Sequence, residues 1–281
     1  MGKPKGICSI CGKGKKLSFE HVPPKSALND QPASVHTFQN WLDGDGTIAG
    51  MKGGIPQSEG MGYVTICQGC NEYSGTHYVP EFGRWVQTGV SMCNVLPIKQ
   101  FNQELKIQGA RFQLNKTRPA PLVKEIVAML LALNGESDPQ FRTDHPGLVD
   151  YVLDKDKQGL PTGYRIYLSL FFGPFCRYSP VIKMVKNGAE LVATFIDHPP
   201  FSFILALNGT SIANFQDISS YAWLALDEQK DVDLLLACGF GLTPYPLDFR
   251  SRGRIDADIQ NGESPTIISV QKVGSDGSVV Q

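Results

Sequence analysis

Two pairs of cysteines, Cys8-Ser-Ile-Cys11 and Cys67-Gln-Gly-Cys70, share a two-residue gap that lets both sulfurs of a tight turn face one ion. Two such knuckles complete a tetrahedral four-thiolate site of the kind that binds structural zinc. The alternative is a redox dithiol or coincidence, but thioredoxin-like motifs occur singly beside a βαβ unit, and none is evident here. With seven cysteines in the chain a complete disulfide framework is excluded, and Cys93, Cys176 and Cys238 lack ligand spacing and read as small buried apolar residues.

Between the knuckles lies Leu17-Ser-Phe-Glu20-His21-Val-Pro-Pro24, and Asn71 follows Cys70 directly. Strand alternation would send Glu20 and His21 to opposite faces. A strand end broken by Pro23 and Pro24 relaxes that rule, so both groups are expected to reach one metal-bound phosphate. Phosphodiester hydrolysis needs an activated water, a Lewis acid and stabilisation of the leaving oxygen. An imidazole titrating near neutrality suits the first task. Oxygen ligands such as Glu20 and Asn71 suit Mg²⁺ or Mn²⁺, which would serve the other two.

At these residues, about 6 to 80, the sequence resembles the HNH endonuclease superfamily, in particular the branch similar to phage Holliday-junction endonuclease VII. The resemblance implies a ββα-metal module with structural Zn²⁺ on Cys8, Cys11, Cys67 and Cys70, a catalytic metal on Glu20 and Asn71, and His21 as general base. The segment from Lys25 to Met61, with Asn29, His36 and Asn40, is longer than the usual connection in that family. Many members carry a further histidine on the helix after the second knuckle; His77 is the nearest candidate ligand, although Gly75 is expected to interrupt a helix there.

The elements that must position these groups fall into two textures. Residues 1–100 are rich in Gly, Lys and Cys, and a metal-stapled module is expected there. Residues 101–250 read as an α+β companion domain of unassigned role with a mainly antiparallel sheet, and 251–281 as a tail or appended strand. A helix opens at Pro119 and Pro121, carries Leu122, Ile126, Met129, Leu130 and Leu133, and is expected to close at Asn134-Gly135. A second helix is expected with Asp144 as its N-cap and Pro146 in its first turn. Strands are expected over 164–172, 181–185, 191–196, 201–207 and 231–238. His145 and His198 read as turn histidines, and Tyr73, Tyr78, Phe82 and Trp85, with Arg84 among them, as the apolar underside of a helix.

The chain has 281 residues and a net charge of −1, so its overall charge gives no pull toward a polyanion. Lys3, Lys5, Lys13, Lys15 and Lys16 gather where Glu20 is the sole acid before Lys25; taken alone, the cluster reads as a solvated basic end before it reads as a polyanion site. No apolar run approaches the roughly 20 residues of a membrane helix. The expectation is a cytoplasmic, metal-dependent endonuclease acting on nucleic acid, DNA before RNA, with assembly as a homodimer or with a partner protein through the second domain. The family suggests a role in bacterial or phage conflict, such as antiviral defence. A non-catalytic zinc-ribbon adaptor is the alternative.

Overall fold

The computed structural model describes residues 4–37, 53–95, 109–171, 176–186, 189–212 and 215–239, with a few isolated positions and two short strands near the end. The boundary near residue 100, most of the 251–281 tail and Lys3 lie outside the described residues.

The N-terminal part is a three-stranded antiparallel sheet in the order β1 (Lys5–Ile7), β2 (Gly14–His21), β5 (Gly62–Cys67). A small hairpin, β3 (Ala33–Val35) with β4 (Ile55–Gln57), lies in the connection between β2 and β5. Cys67 caps helix α1 (Gln68–His77), and α2 (Val79–Val95) follows. Helix α1 runs through Gly75, contrary to the expected break. Gly75 meets nothing within 4 Å of a Cβ position, so glycine there costs only its propensity, about 1 kcal/mol, which a packed helix absorbs. Tyr78, Phe82 and Trp85 are fully buried, as the underside of a helix should be.

The larger sheet is mixed but mainly antiparallel, in the order β6 (Gly109–Thr117), β12 (Lys230–Gly239), β7 (Arg165–Phe171), β10 (Phe201–Ala206), β9 (Ala189–His198), β8 (Arg177–Lys186). The short β11 (Gln216–Asp217) adds to β7, and among the described residues of this sheet only β12 with β7 pairs parallel. With its helices, the chain is α+β.

Helix α3 (Pro119–Ser137) is the spine of the molecule. Every residue from Pro119 to Asn134 is buried, because the helix contacts β5, α2, the strands of the larger sheet and the turn at Ser219–Trp223. It does not close at Asn134-Gly135. Asn134 is fully buried and makes three side-chain hydrogen bonds, donating to Leu130 O and Thr194 Oγ1 and accepting from Val181 N, so it joins helix to sheet instead of ending the helix. Asp144 is likewise no N-cap: it ends the short α4 (Phe141–Asp144), and His145 occupies the cap position of α5 (Pro146–Leu153). Most buried apolar residues form one cluster from Cys8 through α3 to Leu236, and Tyr167, Ile182, Ala193, Phe195, Ile204 and Ala206 form a second, smaller one. No helix among the described residues is long and apolar enough to cross a membrane.

Candidate metal centre and adjoining polar site

The tight turn after β1 carries Cys8 and Cys11; β5 delivers Cys67 and the first turn of α1 delivers Cys70. Backbone bonds from Gly12 N to Cys8 O (2.9 Å) and from Ser9 N to Thr65 O (2.9 Å) hold the first knuckle against β5. The four sulfurs lie within 4.8 Å of one another. Cys11 Sγ and Cys67 Sγ stand 3.8 Å apart. That matches the roughly 3.8 Å edge of a tetrahedron with Zn–S bonds of about 2.3 Å. Cys8 Sγ accepts N–H bonds from Cys11 (3.5 Å) and Cys67 (3.3 Å), which favours a thiolate. The Cys8 thiol is held down to about 4, chiefly by its hydrogen bond with Cys70, against the opposing effect of burial. The same hydrogen bond pushes Cys70 up, and burial raises Cys11. The donor set and spacing fit a metal ion such as zinc.

Beside this cluster, strand β2 shifts register against β5 between Ser18 and Glu20, and from Ser18 it alternates inward and outward to its last residue, His21, which pairs with Gly62. The relaxation expected at the proline-broken end does not occur: Glu20 is 7% exposed while Phe19 and His21 face outward, their rings meeting edge to face at 4.8 Å. Inside, Asn71 Nδ2 donates to Phe19 O (3.1 Å) and Ser18 Oγ (3.3 Å), and its amide acts to lower the pKa of the neighbouring Glu20 carboxyl. Glu20 and Asn71 are thus brought together, and no hydrogen bond joins either to His21 among the described residues.

Burial pushes Glu20 up to about 8, reinforced by the negative field of Glu125 and opposed by Asn71. Glu125 comes from α3, accepts a short hydrogen bond from Ser74 and is itself pushed up by burial to about 7. Neither Glu125 nor Ser74 stands out in the sequence reading. The available signal was a charged pair, Lys124-Glu125, in the middle of a helix otherwise apolar on all sides.

Outside, His21 Nε2 lies 2.9 Å from Glu59 O. A carbonyl only accepts, so this nitrogen carries the proton and Nδ1 keeps its lone pair. Burial lowers the pKa of His21, favouring the neutral ring. Glu59 belongs to the long connection whose role the sequence left open. Asn29 fastens that connection by donating to Pro23 O and Met61 O (2.7 Å) and accepting from Met61 N (2.7 Å).

His77 ends α1, its ring edge-on to Tyr73 at 4.7 Å. Six residues beyond Asn71, it is turned about 240° round the helix from it, off the face that carries Asn71. His145 Nδ1 meets Tyr164 Oη at 2.8 Å. Cys176 is not an inert core thiol, because its Sγ lies 3.0 Å from His198 Nδ1, and His198 Nε2 lies 3.0 Å from Ala27 O. The side chain of Cys238 lies outside the described residues. No protein-family model, curated protein or solved structure matches this chain.

Proposed function

We propose that the chain is a metal-dependent nuclease of the HNH, or ββα-metal, type that hydrolyses nucleic-acid phosphodiester bonds, with DNA the favoured polymer. The observation that carries the reading is the pairing of His21 Nε2 with Glu59 O, which leaves a lone pair on Nδ1 at the end of the strand that also bears Glu20. Two antiparallel strands and a helix starting at a four-cysteine cluster, with Glu20 and His21 on β2 and Asn71 on α1, support the reading.

In this reading His21 Nδ1 takes the proton of an attacking water as its oxygen bonds to phosphorus. The P–O bond to the leaving sugar oxygen breaks, and that oxygen then acquires a proton. Glu20 and Asn71 would hold Mg²⁺ or Mn²⁺, the carboxylate directly and the amide through Oδ1, which accepts no protein hydrogen bond among the described residues. A bound divalent ion supplies Lewis-acid polarisation of the phosphate and charge for the leaving oxygen. The Glu59 carbonyl keeps the imidazole in the required tautomer and orientation.

A second reading, a zinc-ribbon adaptor without catalysis, draws support from the burial of Glu20, which is only 7% exposed. Incubating plasmid DNA with the protein, with and without Mg²⁺ or Mn²⁺, separates the two. A nuclease nicks or linearises the plasmid only with metal, and His21→Ala lowers the rate by about 10²- to 10⁴-fold, the usual worth of a general base, with zinc content unchanged. Equal behaviour of the two proteins favours the adaptor.

A further inference from the structure

In the hairpin of β1 and β2, every paired residue but Ile7 is lysine or glycine. Its register sets Lys5 opposite Lys16 and Gly6 opposite Lys15, with Gly14 opposite Ile7. Like charges directly opposite each other across an antiparallel pair are destabilising. Nothing offsets that cost within the chain: among the described residues no ion pair involves Lys5, Lys13, Lys15 or Lys16. The acid nearest in sequence, Glu20, is buried.

These lysines also surround a shape. Lys5, Gly6, Gly14, Lys15 and Lys16 line a shallow open depression of about 480 Å³. A Cβ at Gly14 would meet nothing within 4 Å, so the floor is open where a side chain would otherwise stand. The net charge of the whole chain is only −1, so the concentration of positive charge is a local property of this hairpin.

We propose that this lysine hairpin is a docking surface for the phosphodiester backbone of nucleic acid. The charge complementarity is direct: a row of phosphates would supply the anions that the hairpin lacks. The distance also suits a substrate. Lys15 precedes His21 by six residues on one strand, which sets both on one face, about 20 Å apart at roughly 3.3 Å per residue and close to six base-pair steps of duplex. The lysines would therefore hold the polymer away from the cleaved bond and set its direction across β2. This inference rests on the nuclease reading for its biological sense, but binding can be tested without cleavage.

The probes are a labelled short duplex DNA and a labelled single-stranded RNA, measured in separate arms by fluorescence anisotropy across a salt series. The protein carries His21→Ala in magnesium-free buffer, so hydrolysis plays no part. Adding Lys5→Gln, Lys15→Gln and Lys16→Gln together should weaken binding roughly ten- to a hundredfold at low salt and lower the slope of log K against log salt by about 2.7 for duplex. Lys155→Gln with Lys157→Gln, on exposed lysines of another region, should change neither quantity by more than twofold. Zinc content and circular dichroism establish that the triple variant is folded.

Loss of slope in the duplex arm identifies DNA as the source of the backbone, and loss in the RNA arm identifies RNA. Unchanged affinity and slope in both arms, or no binding of either polymer by the parent, overturns the inference. A parent that binds through the lysines while the His21 protein never cuts would remove the nuclease reading and leave this surface standing. Cleavage with a lysine-independent slope would do the reverse.

Discussion

Ser9 and Gly135 meet with no room for another atom: a Cβ on Gly135 would stand 1.9 Å from Ser9 Oγ. Ser9 cannot easily move, since its hydroxyl donates to Thr65 O at 3.0 Å. Close by, Thr65 Oγ1 donates to Ala132 O at 3.0 Å. The first cysteine knuckle and the end of α3 are therefore in direct contact. Gly135→Ala would improve helix propensity by about 1 kcal/mol. Overpacking a tight contact costs about 1–3 kcal/mol and outweighs that gain. The variant is expected to melt at lower temperature than the parent, as read by differential scanning calorimetry.

Metal removal is the second test. Elemental analysis should give one zinc per chain. Structural zinc sites contribute on the order of 10 kcal/mol to folding, so stripping the ion should cost the cooperative melt of the N-terminal sheet. Cys8→Ser should mimic this most strongly among the four, because Cys8 Sγ accepts both backbone N–H bonds at the cluster. Acidification should release the ion as the thiolates take protons, followed by absorbance of a zinc-sensitive dye.

The pH dependence of cleavage follows from His21. A base must be neutral to act, and burial lowers its pKa from the ordinary imidazole value. The rate should therefore fall on the acid side, through a pKa below about 6.5, and be flat above it as far as this group is concerned. Because Glu20 is pushed up to about 8 and must ionise to hold the metal, the plasmid-nicking profile is read at saturating Mg²⁺, where an acid limb still centred above 7 would assign the base elsewhere.

Lys124 gives a stability prediction. Its buried ammonium donates to the carbonyls of Asp154 and Lys157 (both 2.9 Å) and also of Tyr151, tying α3 to the end of α5. Lys124→Met would leave those carbonyls without this partner, and at about 1.5–3 kcal/mol per bond to a charged group the loss should be several kcal/mol near pH 7. Burial pushes the ammonium down to about 8 from its ordinary 10.5. Between those values the unfolded chain binds more protons than the fold, so this group makes wild-type stability rise with pH across that window. Urea titrations at pH 7 and pH 10 should show the rise in the parent and its loss in Lys124→Met.

Much of this architecture could be read from local chemistry. The C-x-x-C pairs announce their own geometry, because spacing alone fixes how two sulfurs can meet, and the four converge. The strands of the larger sheet were legible within a few residues from β-rich runs between turn residues. Strand β6 was missed, since Arg111, Gln113 and Asn115 make its sequence read as a polar segment. The ends of α3 and α5 were misplaced because Asn134 and Asp144 carry strong local signals that tertiary partners override. At the polar site, Glu59 and Glu125 lay beyond sequence reasoning: each reaches the site from far along the chain, and nothing in its own neighbourhood marks that contact.

The unbroken burial of α3 has a practical corollary for anyone dissecting the protein. A fragment ending near residue 95 would keep all four cysteines but leave Thr65, Ser74 and Tyr78 without the carbonyls and carboxylate that receive their hydroxyls. Truncation would thus produce a sticky, half-dressed zinc peptide. Genetic separation of the two halves should be sought by point substitution, with the chain kept whole.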